Sequence, residues 1–540
     1  MTKYLKIIFV IVSSLTLFCT VNYYLSVNAE KFIKDDNLKL ELVAEDLKTP
    51  ISMGFLGPND LLVLEKNGKV KRIIDKKTLL SPILDITSIV KSEVERGLLG
   101  IAISEGNGND KDNIYNKDFN IYLLYTENTM NSEAVNNHCK SEKCEIKDRH
   151  EIKQYMNSYN KKLTKDGVVN SLYKYKFKDD KLVNPELLLR TPVDGSSSSI
   201  LHIGGAITVG PDNNVYLTSG DGTICFSSEE CEILLKDGPL RSQTANIGNG
   251  IRPIGSGGIL HVNVNDKMTN YHGIIGPEYP LNIYYAYGIR NSFGIDFDPV
   301  TGYLWDTENG PAFGDEINLV KPGFNSGWAK KQGVWPIVMP SQLAPDPPLG
   351  KERGYDFSNN PQINNNSAIC DKLSSFDKNL RDEWEQGHIS DEQAVVLGEQ
   401  TKILMTQSRC IEYESFVDFN GKGMYSDPEF TWNDPVGVTS IEFFNSDKLG
   451  KEYENDMFVG TFNGGFIYNF DLNKDRNKLI LKGVLQDQVA DNNKELQDVI
   501  FGEIMSSITD LETGPDGYLY VLAKGEGKIW RIVPSDTGNS

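Results

Sequence analysis

One short pattern recurs along the chain and limits the possible folds more than any other feature. "GPNDLLVLEKNGKVKRI" begins at Gly57, "GPDNNVYLTSGDG" at Gly210 and "DPVTGYLWDTENG" at Asp298. "YENDMFVGTFNGGFIYNF" begins at Tyr453 and "GPDGYLYVLAKGEGKIWRI" at Gly514. A weaker copy, "NKDFNIYLLYTEN", begins at Asn116. Each copy has a turn of Gly, Pro, Asp or Asn, then a β-rich apolar run, then another turn. In several, a second strand such as "KVKRI" or "KIWRI" follows. This is hairpin chemistry repeated. Self-similar β units spaced by tens of residues predict a propeller or a solenoid. A stack of β-sandwiches would leave the similarity between units unexplained. Helix-period stretches are few, which speaks against an α/β fold. The chain therefore reads as all-β.

The spacing adds a second expectation. Six copies over residues 30–540 leave roughly 85 residues each, about twice what a four-stranded blade needs. Long loop insertions must lie between the strands of a single domain. Two stand out, at about 127–168 and 340–430. The first is rich in Lys, Asn, Glu and Asp. The second carries "MPSQLAPDPPLG" and "NNPQINNNS". Loops of such length in a compact domain are usually functional lids or disordered segments.

Residues 1–29 have the layout of an export signal: Lys3 and Lys6, an apolar stretch, then small residues at Val27-Asn28-Ala29. The rival reading is an uncleaved anchor, because Tyr4 to Leu25 is almost long enough to span a bilayer. Either way the chain is expected outside the cytoplasm: secreted, periplasmic or on the cell surface. Export makes the cysteines beyond Cys19 read as disulfides. Proximity in sequence favours Cys139–Cys144, Cys225–Cys231 and Cys370–Cys410. A formal charge of −20 argues against a nucleic-acid partner, since phosphate binding needs a basic surface.

Three constellations could carry chemistry. In "LHIGG", His202 is one of six histidines. Histidine is the side chain suited to taking a proton from a hydroxyl near neutral pH. Gly204 and Gly205 permit unusual φ or a close approach. The alternative is a structural histidine bonded to a neighbouring loop. In "YGIRNSFGIDFDP", Arg290 and Asn291 precede a strand and could orient a carbonyl, carboxylate or sugar hydroxyl, or could merely brace a loop. In "TENGPAFGDEINLVKPGFNSGW", the Gly310-Pro311 turn exposes backbone carbonyls, with Glu308, Asp315 and Glu316 close by. Such oxygens suit Ca²⁺; the plainer reading is a solvated acidic loop.

Taken together, "ERGLLGIAI", "HIGGAITVGPDNNVYLTSGD", "YGIRNSFGIDFDPVTGYLW", "ENGPAFGDEINLVKPGFNSGW" and "ITDLETGPDGYLYVL" resemble the soluble PQQ-dependent glucose/sorbosone dehydrogenases, the aldose sugar dehydrogenases. The segments occur in the family's order. The resemblance implies a six-bladed β-propeller with its site on one face, and an oxidoreductase acting on a sugar or polyol. It assigns His202 as the base that takes the anomeric hydroxyl proton while hydride passes to PQQ. It places Arg290 and Asn291 against the quinone, and Gln243 and Glu95 on the substrate side. It gives Ca²⁺ to the backbone carbonyls of Gly310 and Pro311. The electron acceptor stays unnamed.

The sequence also departs from the glucose-dehydrogenase branch, which holds the carboxylates of PQQ with basic side chains. Here Asn463 stands in the "GTFNGG" turn, and Ser507 and Thr509 stand before the last "GPDG". Leu201 replaces an acidic residue before the histidine. Lys478, Lys482 and Lys524 are the basic residues that could compensate. These departures keep a second function open: a non-catalytic extracellular propeller that binds a glycan or a cell-surface protein.

Overall fold

Each copy of the recurring pattern forms the second strand of its own sheet. The computed structural model describes residues 31–106, 118–128, 168–192, 201–222, 246, 255–264, 274–277, 280–310, 314–328, 332–334 and 416–535. Among these residues there are six sheets of four or more strands and, besides short 3-10 turns, no helix. The second strands are Asp60–Glu65, Phe119–Asn128, Val215–Ser219, Leu304–Glu308, Met457–Thr461 and Leu519–Ala523. Numbered I to VI in chain order, the sheets begin with the strands Pro50–Gly57, Leu98–Glu105, Ile207–Val209, Ser292–Phe297, Val438–Phe443 and Ile508–Thr513. Each first strand pairs antiparallel with its second.

The six first strands pack side by side, each against the next and the last against the first. Apolar clusters fill the spaces between successive sheets. Leu62, Leu98 and Leu123 lie between sheets I and II; Leu172, Leu217 and Leu260 lie between II and III. Trp305, Trp432, Met457 and Tyr468 join IV to V. Met53, Leu61, Leu522 and Ile529 join VI back to I, closing the ring. Burying each such side chain stabilises the fold by about 1.5–3 kcal/mol. The arrangement is a β-propeller, as the repeat predicts.

The N-terminal segment fastens the closure. Leu38–Ala44 pairs with Lys528–Pro534 as the outer strand of sheet VI, and Phe32–Ile33 pairs with sheet V. The far end of the 340–430 insertion is not loop. Met424–Tyr425 extends sheet III and Phe430–Trp432 extends sheet IV, where Phe430 and Trp432 are fully buried. "PEFTW" is too short and too close to a polar stretch for its strand character to show. The signal segment, the cysteines and most of both insertions lie outside the described residues, as do Gln243 and Pro311.

Candidate functional site

Because strands one and two of every sheet are antiparallel, the loop entering the first and the loop leaving the second share one end of the ring. Glu95, His202, Arg290 and Asn291 precede first strands. Lys66, Asp221, Asn309, Gly310, Asn463 and Lys524 follow second strands. Residues scattered over more than 400 positions thus converge on one face.

His202 is buried, 5% exposed, with a left-handed backbone (φ 57°) that few non-glycine residues adopt. The surroundings enforce that shape. Its N–H donates to Glu95 Oε2 at 2.7 Å, and its carbonyl accepts from the Gly222 N–H at 3.0 Å. Gly220 lies so close that a Cβ there would sit 2.1 Å from the same carbonyl oxygen. Its ring Nδ1 is 2.9 Å from Asp221 Oδ1, and the other Asp221 oxygen accepts from the Trp328 indole N–H at 2.6 Å. The carboxylate therefore holds Nδ1 as the protonated nitrogen and leaves Nε2 with the lone pair. Nε2 makes no hydrogen bond among the described residues.

The neighbouring groups are tied to the same unit. Asn291 Oδ1 accepts from the Gly204 N–H at 3.1 Å, and Asn291 Nδ2 donates to Glu95 Oε2 at 3.4 Å. The Arg290 carbonyl accepts from the Asp221 N–H at 2.8 Å. The Arg290 guanidinium lies over Trp328, 5.3 Å from the ring centre. Its Nη1 donates to the carbonyls of Asn309 and Gly310, both at 2.9 Å, while its buried Nε has no partner among the described residues. The acidic residues near Gly310 build the loop. Asp315 accepts from the N–H groups of Gly310, Val436 and Gly437, and Glu308 from the Arg290 N–H and the Ser326 hydroxyl. Burial pushes the Asp315 carboxyl up to about 6 and holds Glu308 well above the usual carboxylate range, Glu308 also feeling Glu316 and Asp306.

Beside this unit a cavity of about 460 Å³ runs down the axis between the first strands. Lys66, Lys524, Phe462, Asn463 and Thr509 line its mouth, and Glu95, Gly204 and Asn309 form the wall towards His202. His202, Arg290 and Asn291 are not on that wall but are hydrogen-bonded to it: His202 to Glu95, Arg290 to Asn309, and Asn291 to Gly204, Glu95 and Asn309. Asp296, Glu442, Asp510 and Glu512 line the channel further along the strands.

The structure thus brings together Glu95, His202, Arg290, Asn291 and Gly310. Sequence reasoning missed Asp221, Trp328 and Lys66. Asp221 had a signal, the acidic "SGDG" that ends the strand after "LHIGG". Trp328 lies over a hundred residues from its partner and had none.

Six sheets in a ring around an axial cavity define a class of fold, the β-propeller, with a candidate site at one end of the ring. The sequence identifies the family. The glucose/sorbosone dehydrogenase family profile matches residues 47–334 and 406–531, and the chain belongs to that family. It is 25% identical over 251 residues to aldose sugar dehydrogenase YliI of Escherichia coli K12, covering 46% of this chain and 43% of that protein. It is 25% identical over 308 residues to quinoprotein glucose dehydrogenase B of Acinetobacter calcoaceticus, covering 56% and 54%. The chain spans about half the length of these curated relatives. The crystal structure of soluble aldose sugar dehydrogenase from Escherichia coli in the apo-form superposes with a TM-score of 0.52 at 16% identity, over 92% of this chain and 100% of that one. At that identity the likeness speaks for the fold.

Proposed function

We propose that this protein is an exported quinoprotein oxidoreductase that oxidises an aldose or related hydroxyl compound with PQQ. Its six sheets serve as the six blades of the family's propeller. The observation that carries the reading is the chain Trp328–Asp221–His202, which engages Nδ1 and leaves Nε2 without a hydrogen bond among the described residues, at the end of the ring where the cavity opens. Nε2 takes the proton of the substrate hydroxyl as the neighbouring carbon gives up a hydride. PQQ, held by Arg290 and Asn291, would supply the two-electron acceptor for that hydride. Asp221 stabilises the imidazolium that forms. Electrons then leave to an acceptor outside this chain.

The residues fit the quinone. The cavity is within the size range of small-molecule sites. The unpartnered Arg290 Nε is a buried donor of the kind a quinone or carboxylate oxygen satisfies. Arg290 and Asn291 would hold the cofactor, and Glu95 and Gln243 the substrate. The described residues fit Ca²⁺ less well. The Gly310 carbonyl already accepts from a guanidinium, whose charge opposes a dication. The N-terminal segment supports an extracytoplasmic location, and the three cysteine pairs are proposed as disulfides.

The test is a titration of purified protein with PQQ, followed by absorbance. Saturable binding at micromolar cofactor is expected. Its absence would leave the non-catalytic binding propeller, the reading that uncharged Asn463 and Thr509 favour.

A further inference from the structure

We propose that Lys66 and Lys524 form the clamp that holds the carboxylates of the quinone cofactor, replacing the basic residues absent at Asn463, Ser507 and Thr509. The proposal rests on the quinoprotein reading above and deepens it.

The two lysines occupy equivalent places in the repeat. Lys66 follows Glu65 at the end of "LLVLEK", and Lys524 follows Ala523 at the end of "LYVLAK". Each is the first residue beyond the second strand of its sheet. The sheets are VI and I, which pack against each other where the ring closes. Both side chains therefore reach the same end of the same channel, and both line the mouth of the cavity. Lys524 Nζ lies 4.8 Å above the ring of Phe462, a cavity-lining phenyl that is 41% exposed. Lys66 Nζ donates to the Val94 carbonyl.

Neither ammonium has a carboxylate within ion-pair distance among the described residues, in a chain with 75 acidic groups. Glu93 and Glu95 act on Lys66 only from longer range. Burial and then the charge of Lys524 hold Lys66 below the usual lysine range, and burial does the same to Lys524. Two half-buried cations facing one cavity repel each other unless an anion joins them. Further along the channel the lining turns acidic, with Asp296, Glu442, Asp510 and Glu512. An anionic ligand is thereby directed to the mouth, with its carboxylates towards the lysines. A planar tricarboxylate with an aromatic body suits two ammonium groups beside an exposed phenyl ring.

The experiment measures the dissociation constant of PQQ by tryptophan fluorescence quenching, with wild type, Lys66→Gln, Lys524→Gln, the double variant and the double Lys→Arg variant. Thermal melting without ligand confirms that each is folded. Each single Gln change should weaken binding about tenfold and the double change about a hundredfold or more, since each removes a charge-assisted contact. The double Arg variant should bind within a few-fold of wild type, and wild-type affinity should fall as salt rises. Equal affinity in wild type and the double Gln variant would overturn the clamp and leave the quinoprotein reading standing. Failure of wild type to bind PQQ would overturn both.

Discussion

His202 carries a backbone conformation that few side chains tolerate, and the residues around it explain why it stays there. Glu95 takes its N–H, Gly222 donates to its carbonyl, and Gly220 makes room. Strain of this kind persists only where the surroundings over-determine it. Gly220→Ala tests the point, because its Cβ would meet the His202 carbonyl oxygen at 2.1 Å and carbon at 2.4 Å. The variant should lose aldose-dependent dye reduction by about 10²-fold or more while its PQQ dissociation constant changes by only a few-fold. Unchanged turnover would show that the placement of His202 does not matter. His202 stands out in the sequence because Gly204 and Gly205 follow closely behind it. Asp221 was half legible, as an acid closing the next strand. Lys66 was not, because a lysine in a turn looks like solvated charge until the ring closes and sets it beside Lys524.

At the scale of elements, the recurring turn and apolar run marks the second strand of every sheet, including the weak copy at Asn116. Local chemistry sufficed there, since these strands are buried on both faces and read as short apolar blocks between turns. The outer strands were less visible. Leu38–Ala44 joins a sheet whose other strands lie almost 500 residues away, and no local pattern announces such a pairing. Phe430–Trp432 sits at the end of a polar insertion and is a strand because sheet IV offers it an edge. The candidate site follows the same logic: Glu95, His202, Arg290 and Asn291 precede first strands, and Lys66, Asp221 and Lys524 follow second strands.

At the scale of the whole molecule, the axial channel gathers carboxylates from three neighbouring sheets: Asp296, Glu442, Asp510 and Glu512. Burial is the main cause that raises all four, reinforced in Asp296, Glu442 and Glu512 by neighbouring carboxylates. Asp296 and Asp510 reach about 7 from an ordinary value of 3.8. A folded-state value above the unfolded one means that the native protein binds more protons. Stability from these groups is full below about pH 4 and is lost as pH rises towards 7. Glu512→Gln removes one such charge. It should raise the melting temperature at pH 8, by an amount equivalent to about 1 kcal/mol or more, and leave it nearly unchanged at pH 4. A variant that melts lower than wild type at pH 8 would show that the channel charge is compensated.

The central claim is that His202 acts as a base on a hydroxyl substrate while a quinone bound at the ring end takes the hydride. The direct measurement is the absorbance of protein-bound PQQ on anaerobic mixing with an aldose such as glucose, in wild type and in His202→Ala. Wild type should show full reduction of the bound quinone. His202→Ala should bind PQQ with similar affinity and reduce it at least 10²-fold more slowly. Equal rates in the two proteins would contradict the account.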